Sequence, residues 1–216
     1  MTNAKKLFII SSAFLAFSAG SACPADPSHG SVVFRLITSD KNNIQNDLVL
    51  LRSFDNKSDK ISDLIEIFNE PDVPSQFKEK WWHNSIAGCA EFYSMGAFEA
   101  QGAQGQAVIR LPLLIERKSD GKIVGTLHLT EYPPDTIDIA YSVSPQYRRQ
   151  GYALNAIRVG VSAIRRFDPH LKIVAWTDAE NVSSRQLLEK AGFTHRLTDR
   201  RNLCAYLLRQ DRSTLD

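Results

Sequence analysis

The spacing of apolar residues changes near residue 143, and this change constrains the fold more than any other feature. Residues 136–143 alternate between apolar and polar side chains, which is typical of a strand with one buried face. Residues 154–164 repeat their apolar positions every three or four residues, which predicts an amphipathic helix. The segment between them, residues 144–153, therefore connects a strand directly to the first turn of a helix.

This connecting loop, SPQYRRQGYA, has the composition of an anion-binding site. The first backbone N–H groups of a helix have no partner within it, and the helix dipole places partial positive charge at the same end. Gly151 lets the backbone approach a ligand closely because it has no Cβ, and Arg148 and Arg149 offer donors suited to phosphate oxygens. The chain has no Gly-Lys-Ser/Thr triplet and no G-x-G-x-x-G turn, so a Walker loop and a dinucleotide-binding turn are excluded.

Two patterns in the second half of the chain resemble those of one enzyme superfamily. Arg148-x-x-Gly151-x-Ala153 resembles the R/Q-x-x-G-x-G/A pyrophosphate loop of the GCN5-related N-acetyltransferases, or GNAT enzymes. The string ENVSSRQLLEKAGF at residues 180–193 resembles their N-x-x-S/A-x-x-L-x-E-K-x-G-F segment. The patterns stand in the family's order, and the resemblance extends over roughly residues 32–210. Ser184 and the shape of the N-terminal half look most like the RimJ/RimL branch, whose members acetylate protein N-termini or small amines.

The order of predicted elements gives the fold class. Apolar and β-branched runs predict strands at residues 32–37, 48–52, 107–117, 122–130, 136–143, 171–177 and 203–208. Helical spacing predicts helices at 61–69, from 75 onward, and after the loop, where Leu154, Ile157, Val161 and Ile164 line one side. The Gly-, Ala- and Gln-rich segment 96–105 reads as a loop. We therefore expect an α+β, GNAT-like fold with a mixed, mostly antiparallel central sheet flanked by helices.

The first 22 residues have the pattern of a secretory signal peptide. Lys5 and Lys6 precede a short apolar stretch, and small residues follow up to Ala22. We expect cleavage near Ala22, export to the periplasm or beyond, and no stable membrane span afterwards, because the apolar stretch is too short to cross a bilayer. Residues 23–31 read as a linker and 32–216 as a single domain. The alternatives to cleavage are an uncleaved anchor and a lipoprotein. Because acetyl-CoA is a cytoplasmic metabolite, a cytoplasmic location is the alternative to export.

Composition excludes several other classes of function. A formal net charge of +2 is too small to argue for nucleic acid. The three cysteines do not form a disulfide framework, although Cys89 and Cys204 either pair in an oxidising compartment or remain buried thiols. The chain lacks His-Glu-x-x-His, Cys-x-x-Cys and Gly-x-Ser-x-Gly, so we expect neither a metal site nor a serine hydrolase.

The resemblance implies acetyl-CoA as co-substrate, held where the strand that ends at Ser144 separates from the strand that ends at Thr177. Val143 would pair with the pantetheine amides, and backbone N–H groups from Arg149 through Gln150, Gly151 and Tyr152 to Ala153 would bind the pyrophosphate. The side chains of Arg148 and Arg149 either contact phosphates or are solvated. Asn181 matches the cofactor-side asparagine of the family, and it also suits a helix N-cap.

The catalytic residues are less clearly marked. Many GNAT enzymes carry a tyrosine, the usual general acid, where this chain has Leu188, and Ser184 is the substitute in the same helix. Glu131 and Asp138 are the carboxylates near the strand pair and the candidate bases, with His128 as a third. The predicted activity is acetyl transfer to a primary amine, on a protein N-terminus, a lysine or a small molecule. The alternative is a catalytically silent domain that binds CoA or a protein partner after export.

Overall fold

A computed structural model describes residues 31–33, 36, 44–55, 59, 92–93, 95, 97–101 and 106–209. The predicted signal peptide, most of the predicted linker, the helices predicted at 61–69 and from 75 onward, and Cys89 lie outside these residues. In the part of the chain that is described, no helix is long and apolar enough to cross a membrane.

The central element is one mixed sheet of eight strands. The strands are β1 (Val49–Arg52), β2 (Phe98–Gln101), β3 (Ala107–Arg117), β4 (Ile123–Tyr132), β5 (Thr136–Val143), β6 (Lys172–Asp178), β7 (Phe193–Thr198) and β8 (Leu203–Leu208). Two helices, α1 (Tyr152–Phe167) and α2 (Val182–Lys190), flank β6 in the sequence. The spatial order is β1-β3-β4-β5-β6-β8-β7, with β2 also paired to β3, and among the strands of the described residues only β5 and β6 pair in parallel. This confirms the α+β class and the mostly antiparallel sheet.

The parallel pair of strands separates along its length. β5 and β6 are in register at Thr136/Lys172, Ile137/Ile173 and Asp138/Val174. β5 then continues to Val143 and β6 to Asp178 without further pairing to each other. We call the opening between residues 139–143 and 175–178 the β5–β6 cleft. The loop that precedes α1 follows directly on the β5 side of this cleft.

Helix α1 packs on one face of the sheet and completes the main core. Its buried residues include Ala156, Ile157 and Ile164, whereas Leu154 and Val161 from the predicted apolar side are only half-buried. Gly160 permits a close approach, since a Cβ there would lie 3.2 Å from Leu127 Cδ2 on β4. Full burial of an aliphatic side chain such as Ile157 contributes about 1.5–3 kcal/mol, so this face of α1 fixes the helix, and with it the loop, against the sheet.

The strand predicted at residues 32–37 is wrong. Val32, Val33 and Leu36 are helical and almost completely buried. The carboxylate of Glu131 accepts hydrogen bonds from Ser31 Oγ at 2.6 Å and from the Val33 backbone N–H at 3.0 Å. The bond from Val33 satisfies a backbone N–H group that has no partner within a helix. A tertiary contact about a hundred residues away in sequence therefore overrides the β propensity of the two valines.

Two strands, β7 and β2, were not predicted from the sequence, each for a different reason. β7 is an edge strand with mostly exposed side chains, so its sequence shows no alternation of apolar and polar residues. β2 lies within the segment predicted as a loop from its Gly, Ala and Gln content. β7 obtains its ladder hydrogen bonds from β8, and β2 obtains them from the longer strand β3.

Candidate active site

The backbone of Val143 lies at the mouth of the β5–β6 cleft. The next residue, Ser144, donates its N–H to the carbonyl of Val124 on β4 at 3.0 Å. Because hydrogen-bonding residues alternate along an antiparallel strand, the N–H and C=O of Val143 point away from β4 and toward the cleft. This orientation fits the predicted pairing of Val143 with an extended ligand that carries amides.

The loop after β5 is shaped by two residues in the left-handed region. Pro145–Tyr147 forms a short 3-10 turn, after which Arg149 has φ 61° and Gly151 has φ 87°. Gly151 is the N-cap of α1 and provides no side-chain cap. Within residues 106–209, no hydrogen bond uses the backbone N–H groups of Arg149, Gly151 or Tyr152. A row of such N–H groups at a helix N-terminus is what a pyrophosphate requires.

Two asparagines that the sequence analysis did not single out anchor this loop to β1. Asn155 Nδ2 donates to the Gly151 carbonyl at 3.0 Å, and Asn46 Nδ2 donates to Asn155 Oδ1 at 2.8 Å. Asn46 Oδ1 in turn accepts the backbone N–H groups of Leu48 and Val49, each at 2.9 Å. The start of α1 is therefore held in place before any ligand binds. No local pattern indicates this contact, because the two asparagines are far apart in the sequence.

The exposed loop side chains have different roles. Arg148 Nε donates to the carbonyl of Val143 at 3.1 Å, and Gln150 Nε2 donates to the carbonyl of Gln146 at 3.1 Å. Both bonds stay within the segment from β5 to the loop. Arg149 is exposed. Tyr152 is buried, so the predicted contribution of this residue to ligand binding is its backbone N–H alone.

Asn181 caps helix α2. Its Oδ1 accepts the backbone N–H of Ser184 at 3.1 Å, so the capping role considered in the sequence analysis is present. The helix ends at Lys190, and Gly192 in the following turn has φ 95° in the left-handed region. Ser184 is thereby placed in the first turn of α2.

Ser184 contacts a tyrosine that the sequence analysis had counted only as part of an apolar strand face. Tyr141, on the part of β5 beyond its pairing with β6, places its Oη 2.8 Å from Ser184 Oγ. Burial raises the pKa of Tyr141 to about 12; the hydrogen bond with Ser184 opposes this shift, and nearby Tyr206 adds to it. The phenol is therefore protonated at neutral pH. Leu188, at the position of the usual tyrosine, is completely buried.

The two candidate carboxylates lie in different places. Glu131 is bound to Ser31 and Val33, near the paired end of β5, and the structure does not bring it together with Ser184. Asp138 occupies the last paired position between β5 and β6, at the inner end of the cleft, and it is buried. Since side chains alternate along a strand, Asp138 points to the sheet face opposite Tyr141.

His128 shares the Asp138 face and stands beside Ala140 in register. Its Nε2 lies 2.9 Å from Tyr93 Oη. Burial lowers the pKa of His128 to about 4, with the charge of Arg110 adding to the effect, so the imidazole is neutral at physiological pH. A neutral imidazole with so low a pKa is a weak base.

The family model described as acetyltransferase (GNAT) domain matches residues 49–194. A search of curated protein sequences finds no match.

Among solved structures, a GNAT-family acetyltransferase from Bacillus anthracis superposes with a TM-score of 0.57 at 16% identity, covering 77% of this chain and 97% of that one. A spermidine N-acetyltransferase variant from Vibrio cholerae gives 0.57 at 16% identity, with coverages of 78% and 99%. A protein from Vibrio cholerae described as a ribosomal-protein-serine acetyltransferase gives 0.56 at 14% identity, with coverages of 76% and 95%. Identities this low establish the fold alone. The family model, however, runs from β1 into β7 and spans well over half of the sequence, so the chain belongs to the GNAT acetyltransferase family.

Proposed function

We propose that this chain is an N-acetyltransferase that moves the acetyl group of acetyl-CoA to a primary amine. The observation that carries the proposal is the position of the β5–β6 cleft, which opens beside the vacant N–H groups of the loop before α1. The similar solved structures include a spermidine N-acetyltransferase, whose acceptor is a small amine. Ser184 supports placing the chain in the RimJ/RimL branch.

Each part of the co-substrate meets a suitable group of this chain. Backbone N–H groups from Arg149 to Ala153 bind the pyrophosphate at the positive end of α1. The N–H of Val143 faces the cleft and donates to a pantetheine carbonyl, continuing the hydrogen bonding of β5. Asn181 is exposed at the start of α2, and because its Oδ1 caps the helix, its side-chain NH2 group is the part that would contact acetyl-CoA. The thioester supplies an activated acyl group.

The reaction requires the amine nitrogen to attack the thioester carbonyl and sulfur to leave with the electron pair. Ser184 donates a hydrogen bond to the departing sulfur, in place of the tyrosine that Leu188 replaces. Asp138 is our candidate for accepting the proton of the amine, directly or through water, because it lies at the inner end of the cleft. Glu131 is a weaker candidate, because its oxygens are bound to Ser31 and Val33.

Calorimetry with acetyl-CoA tests the proposed binding site. Gly151→Glu places a carboxylate where the phosphates belong and adds a side chain at φ 87°, so it should abolish binding. Gly192→Glu is the matched control, because it introduces the same residue at φ 95° in the turn after α2. Unchanged affinity in Gly151→Glu would mean that the loop is not the phosphate site.

Activity is tested separately, by CoA release with a panel of a polyamine, a lysine peptide and peptides with free N-termini. CoA release that depends on the amine supports the acetyltransferase. Tight binding of acetyl-CoA without release on any amine would instead support the silent, CoA-binding alternative.

A further inference from the structure

We propose that Tyr141 is a positioning residue that orients the hydroxyl of Ser184 toward the leaving sulfur. This inference rests on the proposed acetyltransferase function. It adds a residue on β5 to a step for which the sequence indicated only helix α2.

The geometry places the tyrosine hydroxyl beside the part of the cleft where the thioester would lie. Tyr141 stands beyond Asp138, on the length of β5 from which β6 has separated. Its side chain extends to α2, with Oη 2.8 Å from Ser184 Oγ. The Ser184 backbone N–H is meanwhile held by Asn181 at 3.1 Å. Ser184 is therefore fixed through its main chain and its side chain at the same time.

The direction of the hydrogen bond follows from the available partners. Burial raises the pKa of Tyr141 to about 12, so the phenol keeps its proton over the whole range in which an amine substrate is assayed. The carbonyl of Ser184 lies 3.5 Å from Oη, too far for a good hydrogen bond, whereas Oγ is at 2.8 Å. Tyr141 therefore donates to Ser184 Oγ. The single proton of Ser184 is then left for a different acceptor.

The departing sulfur is an acceptor that needs such a donor. During transfer a C–N bond forms, the C–S bond breaks, and the electron pair goes to sulfur. A thiol of ordinary pKa near 8.5 is roughly a thousand-fold or more stronger as an acid than the Tyr141 phenol. Both hydroxyls therefore keep their protons. Ser184 stabilises the thiolate by a hydrogen bond, and Tyr141 only orients Ser184. Water later protonates the thiolate, while the proton of the amine leaves to the base.

The test is a double-mutant cycle on kcat with wild type, Tyr141→Phe, Ser184→Ala and the double variant. Tyr141→Phe keeps the ring and removes the hydroxyl, so we expect kcat to fall about 10-fold. The KM for acetyl-CoA should stay within about two-fold, because the phosphates and pantetheine bind elsewhere. The double variant should be no slower than Ser184→Ala, since Tyr141 acts only through Ser184.

Tyr206→Phe is the matched control. Its Oη accepts a hydrogen bond from Arg185 Nε on the same helix at 3.2 Å, and no hydrogen bond joins it to Ser184. This variant should keep the wild-type kcat. An equal loss of kcat in Tyr206→Phe would show that any hydroxyl joining the sheet to α2 matters, and would overturn the inference.

Wild-type kcat in Tyr141→Phe, or losses that multiply in the double variant, would also overturn it while leaving the acetyltransferase function intact. A wild-type protein that binds no acetyl-CoA, or releases no CoA with any amine, would overturn the proposed function and this inference with it.

Discussion

Arg148 donates from Nε to the carbonyl oxygen of Val143 at 3.1 Å, so the first arginine of the phosphate-loop pattern binds the end of its own strand. This bond joins the two predicted binding elements, the β5 backbone and the loop before α1. The side chain of Arg148 therefore contributes to the shape of the loop, and the backbone N–H groups that follow supply the donors for phosphate.

Replacing Arg148 should weaken cofactor binding through this bond. We expect Arg148→Ala to reduce the affinity for acetyl-CoA about 5- to 10-fold, the typical worth of one hydrogen bond from a charged group that is partly exposed. Arg149→Ala removes an exposed side chain and should change affinity by less than about two-fold if that side chain is solvated. Isothermal titration calorimetry of the two variants compares them directly. A larger loss in Arg149→Ala would assign the phosphate contact to Arg149.

Ser184→Ala should slow turnover without weakening acetyl-CoA binding. Loss of a donor to a developing negative charge typically costs about 10- to 1000-fold in kcat, whereas the pyrophosphate binds at the other helix. Ser183→Ala is the control, because this neighbour is exposed. Steady-state kinetics on whichever amine proves a substrate gives the answer. Full activity in Ser184→Ala would mean that water alone serves the leaving sulfur.

Glu131 should prove structural. Its carboxylate receives hydrogen bonds from Ser31 and from the backbone of Val33, which hold the N-terminal helical residues to β4. We expect Glu131→Gln to lower the free energy of unfolding by about 1–3 kcal/mol with kcat nearly unchanged. Urea unfolding and kinetics on the same sample measure both quantities. Loss of kcat at full stability would instead make Glu131 the catalytic base.

Replacing Leu188 by the tyrosine that many GNAT enzymes carry there should not increase activity. Leu188 is completely buried, so Leu188→Tyr inserts a larger side chain with a hydroxyl into a packed core. Overpacking of this kind costs about 1–3 kcal/mol, and we expect no gain in CoA release. Leu187→Tyr, at the half-buried neighbouring position, should be tolerated better. Faster turnover of Leu188→Tyr at unchanged stability would show that this position reaches the active site.

His128 should make stability fall as the pH falls below neutrality. Burial lowers its pKa from 6.5 to about 4, so between these values the unfolded chain binds a proton that the native protein does not. The contribution of His128 to the free energy of unfolding is therefore fully present above about pH 6.5 and declines toward pH 4, by at most about 3 kcal/mol. His128→Gln should remove this part of the slope. Urea unfolding between pH 7.5 and 4.5 compares the variant with wild type, and parallel slopes would contradict the prediction.

The centre of the site could be predicted because its sequence carries local physical signals. Alternation stops at Val143, the observed end of β5, and helix α1 starts at Tyr152, directly after the glycine. Gly151 and Gly192 both adopt the positive φ that favours glycine over other residues. These features depend on a few neighbouring residues, so one sequence is enough to indicate them.

The features that were missed depend on residues far apart in the chain. Tyr141 reads as one more apolar position on β5, and only the position of α2 gives its hydroxyl a partner. Glu131 reads as a free carboxylate, but the distant Ser31 brings it into a helix N-terminus. Asn46 and Asn155 show no shared pattern, although they fix the phosphate loop together.

The short parallel pairing between β5 and β6 divides the sheet into two leaves. β1 to β5 form the first leaf, β6 to β8 form the second, and the backbone seam between them is confined to the first few residues of each strand. Because so few backbone hydrogen bonds join the two leaves, we expect the second leaf to move relative to the first when the cleft is empty. A ligand whose amides bond to β5 and whose far end contacts α2 would bridge the two leaves. Backbone amide protons of β6 should therefore exchange with solvent more slowly when the ligand is bound. Ligand binding in the cleft would thus make the whole sheet more rigid.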